Sequence, residues 1–255
     1  MSRAVLAEDE SCDALLRGRF SVIQGRTGHR AGLDALLLAA VVPENARGHL
    51  VDLGAGCGTV AFAALTRAPG LAATLVEREA VDCDRAARAT ALLANMHLAG
   101  RVRIVAGAAE EGRTDKAEFV LANPPYNDAR MQPSANEARA RAHEGDGALL
   151  DAWVRTAARI AKPGATVAFI LRAASWTDAA AAFSARDLGD IRLLPVSPRE
   201  GEAAHRIIVI ARKARRTAPS ILPPLVLHEA DGRFTPAVAA VLDGEHGLFD
   251  AEERR

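Results

Sequence analysis

Leu50-Val51-Asp52-Leu53-Gly54-Ala55-Gly56-Cys57-Gly58-Thr59 decides how this chain is read. A short apolar run carrying an acid leads into a glycine-rich turn, and Val60-Ala61-Phe62-Ala63-Ala64-Leu65 then reads as a helix. Strand, tight turn and helix open a nucleotide-binding α/β domain. Glycines at 54, 56 and 58 permit positive φ and let backbone N–H groups approach a ligand. Pyrophosphate-binding loops use the following helix N-terminus to hold an anion. The acid at Asp52 suits instead a ligand with a positive amino group. Taken alone the loop is equally a structural bend, so its neighbours decide.

Two neighbours do so. Ala73-Thr74-Leu75-Val76-Glu77 is a second strand ending in an acid about twenty residues on, where such folds bond ribose hydroxyls. The alternative for Glu77 is a solvated acid at a strand end. Phe119-Val120-Leu121-Ala122 runs into Asn123-Pro124-Pro125-Tyr126. Two prolines cannot continue a strand and bias their predecessors towards extended backbone, so Asn123 is held at a strand's carboxyl end. Open α/β sheets bind their ligands there. A proline turn with a capping Asn is the plainer account of the tetrapeptide by itself.

Together, Asp52 to Gly58, Glu77 and Asn123-Pro-Pro-Tyr126 resemble the motifs of S-adenosylmethionine-dependent methyltransferases acting on planar amino or amide nitrogens. In particular, the chain resembles the bacterial N6-adenine methyltransferases that modify the adenosine beside the anticodon of a valine tRNA. Gly28-His29-Arg30-Ala31-Gly32-Leu33-Asp34 through Leu38 resembles that family's segment ahead of the first strand, and Pro198-Arg199 through Ala204-His205-Arg206 to Val209 its late strand region. The similarity spans about residues 15 to 245. It implies a Rossmann-like, seven-stranded α/β sheet, mostly parallel with the last strand antiparallel and helices on both faces. Residues 1–48 then form an N-terminal extension over the cofactor site, 49–216 the methyltransferase core, and 217–255 a C-terminal extension on the sheet edge.

Composition excludes other classes. Hydrophobic residues make up 49% and charged residues 25%, as in ordinary soluble domains. A formal net charge of zero gives no global attraction for RNA, so a nucleic-acid surface must be local. The first residues have no apolar core and read as neither secretory signal nor transit peptide. No apolar run reaches membrane-spanning length. Cys12, Cys57 and Cys83 lack metal spacing and read as reduced thiols, which implies a cytoplasmic protein without a metal.

Along the chain, residues 18–27 read as a strand or hairpin and 33–42 as a helix stopped by Pro43. Asp34 either caps that helix or, by the resemblance, lies over the methionine end of the cofactor. Helices are expected at 58–67, 82–98, 149–162, 176–188 and 236–242. Strands are expected at 102–107, 117–123, 165–171, 191–196 and 206–211. Alternating strands and helices mean a parallel, doubly wound sheet. Residues 127–147 are polar, lack apolar periodicity and read as a long loop of the kind that acts as a lid.

The resemblance assigns cofactor contacts to Arg30, Asp34, Asp52, Gly54, Ala55, Gly56, Gly58, Glu77, Ala108, Ala109 and Asn123. Many relatives carry an acid just after the third strand to read the adenine amine, where this chain has Ala108-Ala109. Glu110 or a backbone contact is the substitute. Catalysis is assigned to Asn123, Pro124 and Tyr126. An exocyclic adenine amine is a poor nucleophile because its lone pair is delocalised. Acceptors at the Asn123 side chain and the Pro124 carbonyl free that pair, and Tyr126 stacks on the base. A stacked adenine must first be flipped out, which single-stranded loops permit. Arg139, Arg141, His143, Arg199 and Arg206 are candidate RNA contacts, the last two in the chain's densest basic region, which runs to Arg216. Solvated charges are the alternative. The partner implied is tRNA near its anticodon, with the oligomeric state, monomer or homodimer, left open. Two competing readings are a glutamine-amide methyltransferase and a non-catalytic RNA-binding relative. Against the first, only about fifty residues precede Asp52, where those proteins carry a helical domain; against the second stands the intact Asn-Pro-Pro-Tyr.

Overall fold

In the computed structural model the described residues are 6–27, 32–112, 114–125 and 136–249, of which 136–146 are described as backbone only. The chain opens with an antiparallel hairpin, β1 (Glu10–Leu15) and β2 (Phe20–Gly25), followed by α1 (Leu33–Ala39). The core then alternates: β3 (Arg47–Leu53), α2 (Thr59–Arg67), β4 (Gly70–Glu77), α3 (Ala80–Thr90), β5 (Val102–Ala106), β6 (Ala117–Ala122), α4 (Asn136–Ile160), β7 (Ala161–Arg172), α5 (Trp176–Ser184), β8 (Leu188–Ser197) and β9 (Arg206–Lys213). Two short strands, β10 (Ser220–Ile221) and β11 (Leu225–Val226), and α6 (Pro236–Asp243) complete it.

The main sheet runs β10-β8-β9-β7-β6-β3-β4-β5, with β11 also on β8. β3 to β7 are parallel, and β9 lies antiparallel between β7 and β8. The seven principal strands thus have the expected directions. β10 and β11 lengthen the sheet to nine, pairing in parallel with β8.

Strand alternation splits the apolar residues between two faces. Along β7, Ala168 and Ile170 join one cluster with α1 and α2, while Val167, Phe169 and Leu171 join a second with α4 and α5. The stripe Leu150, Trp153, Val154 and Ala157 is the buried side of α4. The tail returns to the first face. Thr235 Oγ accepts the Val238 amide to cap α6, Pro236 takes the first turn and Gly244 ends the helix at φ 75°.

Four expectations are corrected. α4 begins at Asn136 rather than 149, so much of the expected 127–147 loop is helical backbone. Ala138, Ala140 and Ala142 among Glu and Arg are strong helix formers that carry no apolar stripe, and a search for periodicity passes over them. The helix expected over 82–98 breaks after Thr90 into a 3-10 turn at Leu93–Leu98. That break turns Asn95 inward, where its Nδ2 donates to Ser21 O and Ala89 O and its Oδ1 accepts Ser21 N. The hairpin starts earlier than residue 18, because β1 is half exposed and alternates weakly. Pro163-Gly164 lies inside β7, where partners jump from Ala117↔Ala161 to Phe119↔Thr166 and the proline, which has no N–H to give, is bulged out of the ladder.

Candidate active site

The glycine loop joins β3 to α2, and each glycine answers a different constraint. Gly54 (φ 66°) lies against Trp153, where a Cβ would come within 2.3 Å of Cη2. Gly58 (φ 89°) precedes the first turn of α2, and a Cβ there would meet Leu75 at 2.7 Å. Gly56 (φ 53°) is open, with nothing within 4 Å of where a Cβ would sit. The packing on Trp153 and Leu75 shapes the loop. Gly56 leaves its outer side bare.

Both strand-end acids turn inward. Asp52 is 1% exposed and its Oδ2 accepts the Ala61 amide at 3.1 Å, holding the first turn of α2. Burial pushes its carboxyl up to about 7. Glu77 is buried at the end of β4. Its Oε2 accepts Gly56 N at 2.7 Å and its Oε1 accepts Glu79 N at 2.8 Å, so it fixes the loop from beneath.

Above the loop lies a cleft of about 250 Å³, near the small end of ligand sites. Gly54 to Cys57 form its floor, Gln24, Gly25 and Thr27 at the end of β2 one wall, Asp82 and Arg85 of α3 another, and Asn123 its far end. Asn123 follows β6 directly, Pro124 is buried and Pro125 exposed. Among the described residues none hydrogen-bonds the Asn123 side chain. The hairpin wall is pinned by charge. Glu10, 3% exposed, takes Arg88 at 2.6 and 2.9 Å and Arg85 at 3.1 Å, and the Arg88 guanidinium first of all holds its carboxyl down to about 2.

The structure therefore brings together Gly54, Ala55, Gly56 and Asn123 around the cleft, with Gly58 turned to Leu75 and Phe62 and with Asp52 and Glu77 buried under the loop. Asp34 does not cap α1, whose N-cap position is Gly32 with no side-chain cap; its Oδ2 pairs with Arg206 Nε at 2.9 Å. Arg199 faces Glu202 at 3.4 Å. Ala108 and Ala109 do not line the cleft; Ala109 is part of the second apolar cluster, where an acid would be costly. The basic region divides. Arg206 lies at the sheet's carboxyl end and Lys213 at the opposite end of β9, about 23 Å away at ordinary strand rise. Arg30 and Tyr126, and the side chains of Arg139, Arg141 and His143, lie outside the described residues. Sequence reading missed Gln24, Thr27, Cys57, Asp82 and Arg85 as lining residues. Only the nearness of Cys57 to the glycines hinted at any of them.

Residues 30–143 match the methyltransferase small domain family. A protein named tRNA1(Val) (adenine(37)-N6)-methyltransferase from Aeromonas hydrophila is 25% identical over 217 residues, 85% of this chain and 90% of that one. Its namesake from Shewanella woodyi is 24% identical over 233 residues, 89% of this chain and 96% of that one. Among solved structures, a protein described as a predicted O-methyltransferase from Agrobacterium tumefaciens superimposes with TM-score 0.72 and 27% identity, covering 84% of this chain and 98% of that chain. The Thermus thermophilus 16S rRNA N2 G1207 methyltransferase, solved with AdoMet and guanosine, gives TM-score 0.55 at 16% identity over 80% of this chain and 50% of its own, and so shares the fold. Among the described residues no group of three or more metal-ligating side chains occurs, and no helix is long and apolar enough to cross a membrane.

Proposed function

We propose that this protein methylates N6 of an adenine in tRNA, using S-adenosylmethionine, at the position beside the anticodon of a valine tRNA named for its relatives. The observation that carries the reading is Asn123. Its carboxamide stands at the carboxyl end of β6, lines the same cleft as the glycine loop and has no partner among the described residues. The cleft fits a nucleoside ligand: Gly56 offers bare backbone at positive φ, and hairpin and α3 enclose the other sides. When bound, S-adenosylmethionine supplies an electrophilic methyl group on a sulfonium.

The chain's part is positioning. The Asn123 oxygen and the Pro124 carbonyl accept the two amine hydrogens and free the nitrogen lone pair. A buried Pro124 fixes both acceptors to one rigid corner. Tyr126, next along the chain, is assigned the stacking role, Arg199 and Arg206 the phosphate contacts, and the substrate implies a cytoplasmic site of action. Transfer to a hydroxyl, the chemistry in the name of the Agrobacterium structure, needs a general base. Among the described residues the titratable side chains lining the cleft are Cys57, Asp82 and Arg85, and Asp82 is already paired with Arg85. The carboxamide therefore supports the amine.

The test is methyl transfer from labelled S-adenosylmethionine to total bacterial tRNA, with digestion and detection of N6-methyladenosine, beside Asn123→Ala. Label in N6-methyladenosine that falls on the order of a hundredfold in the variant supports the proposal. Label found only in protein glutamine overturns it in favour of the amide substrate.

A further inference from the structure

We infer that the turn at 228–234 is a platform on which an unpaired nucleobase of the substrate RNA stacks, with the ring of Phe234 as its surface. The inference rests on the proposed tRNA substrate and concerns a base other than the methylated adenine.

The turn holds two rings side by side. His228 and Phe234 face each other across an antiparallel bridge. Between them Gly232, at φ 86°, reverses the chain, while Glu229 N donates to Arg233 O at 2.8 Å and Gly232 N to Glu229 O at 3.0 Å. The Asp231 carboxylate accepts Arg233 N at 3.0 Å and Arg233 Nε at 2.7 Å, which closes the turn. The two rings stack with centroids 4.8 Å apart and planes at 23°. His228 Nδ1 lies 3.1 Å from Gly232 O, a carbonyl that can only accept, so the imidazole is held with its proton on Nδ1. One face of Phe234 is thereby backed by His228. Phe234 nonetheless stays 41% exposed, and with Glu229, Arg233 and Pro236 it lines an open hollow of about 390 Å³. A phenyl ring fixed on one face and open on the other suits a flat ligand, and every nucleobase has a π face to offer it.

Placement points to RNA. Leu227 N donates to Ser197 O and His228 N to Pro198 O, so the turn stands at the carboxyl end of β8, the end of the sheet that also carries Asn123. Through β11, β8, β9, β7 and β6 it is four strand spacings from Asn123, about 19 Å at ordinary spacing. Arg206 on β9 stands between the two, and Arg199 follows Pro198. An RNA strand that leaves its adenine at Asn123 and passes these arginines reaches the turn. The charges there favour a base over the backbone. Asp231 is neutralised by Arg233, whereas among the described residues nothing pairs with the Glu229 carboxylate. A phosphate is repelled by it, while a base brings a neutral face to Phe234 and, from an amino group, N–H donors to Glu229.

The experiment is filter binding of a valine tRNA transcript to the full chain over a salt series, beside Phe234→Ala and Phe234→Trp. Phe234→Ala is expected to weaken tRNA binding about tenfold at every salt concentration, the size of one stacked base, with the salt slope unaltered because no phosphate contact is lost. Its S-adenosylhomocysteine affinity is expected to match wild type, which reports an intact fold. Phe234→Trp is expected to bind tRNA as wild type does, and its added indole fluorescence to be quenched by tRNA beyond any change from Trp153 and Trp176. Wild-type tRNA affinity in Phe234→Ala, or added fluorescence in Phe234→Trp that is indifferent to bound tRNA, overturns the inference and leaves the proposed function standing. A flattened salt slope in Phe234→Ala overturns it likewise, since the loss is then a displaced arginine and no base. Failure of wild type to bind tRNA overturns the proposed function and this inference with it.

Discussion

Asp34 and Arg206 form an ion pair at 2.9 Å between two segments that are remote in sequence, the start of α1 and the start of β9. Each was expected to face a different ligand, the one a cofactor and the other an RNA phosphate. Their pairing joins the α1 side of the cleft, where Ala35 is a lining residue, to the carboxyl end of the sheet two strands from Asn123. With side chains 26% and 35% exposed, the pair is worth at most about 1 kcal/mol to the fold. Under the proposed function, the arginine faces an RNA phosphate. Arg206→Gln is expected to lower tRNA affinity and flatten the plot of log affinity against log salt by about one unit. Asp34→Asn, which removes the carboxylate opposite Arg206, is expected to keep the full slope. Filter binding across a salt series measures both. An unchanged slope in Arg206→Gln makes the arginine a strut alone.

The three loop glycines separate folding from ligand binding. Gly54→Ala drives a methyl into Trp153 and is expected to cost about 3 kcal/mol of stability. Gly56→Ala meets no neighbour, so only its positive φ is strained, at about 1–2 kcal/mol. Binding should invert this order, with Gly56→Ala losing S-adenosylhomocysteine affinity because the methyl occupies the ligand's approach. Urea denaturation beside calorimetry on both variants tests the contrast. Equal binding losses would mean that Gly56 is structural too.

Asp52 and Glu10 give opposite pH dependences in separate windows. The folded pKa of Asp52 is raised to about 7 from 3.8, so the folded state binds more protons than the unfolded state between those values. Stability therefore falls as pH rises from about 4 to 7, by up to roughly 1.4 kcal/mol per unit, and levels off above. Asp52→Asn keeps an acceptor for Ala61 N and should remove that slope. Glu10 is depressed from 4.5 to about 2, so its stabilisation is complete above pH 4.5 and is lost as pH falls towards 2. Glu10→Gln should flatten the acid limb only. Unfolding free energies from pH 3 to 8 for the three proteins decide both signs.

Asn95 holds the hairpin by two hydrogen bonds to Ser21 and ties it to α3 by a third to Ala89 O, all buried. Asn95→Ala leaves the Ser21 amide and carbonyl unpaired and should cost roughly 3 kcal/mol. It should also accelerate hydrogen exchange in β2 and weaken S-adenosylhomocysteine binding, since β2 ends in Gln24 and Gly25 of the cleft wall. Unaltered exchange in β2 would show that Asn95 does not hold the hairpin.

Much of this architecture was legible in the sequence. Asp52 to Gly58 with Glu77 and Asn123-Pro-Pro fixed the order of strand, turn and helix, because glycine and proline restrict φ locally whatever surrounds them. The stripe on α4 gave its buried face for the same local reason. The 136–147 helix was missed because its formers carry propensity without periodicity, and β1 because half of it faces solvent.

By itself, then, the sequence determined the doubly wound sheet and the corner at Asn123, features written in local backbone restriction and in the alternation of apolar residues. Tertiary structure alone decided what the charged groups do. Asp52 went to the first turn of α2, Glu77 to the Gly56 amide, Asp34 to Arg206, and Arg85 with Arg88 to Glu10. A carboxylate's partner is whichever donor the fold brings within about 3 Å of it, and those donors lie from 9 to 172 residues away along the chain. Nothing in local sequence records that proximity.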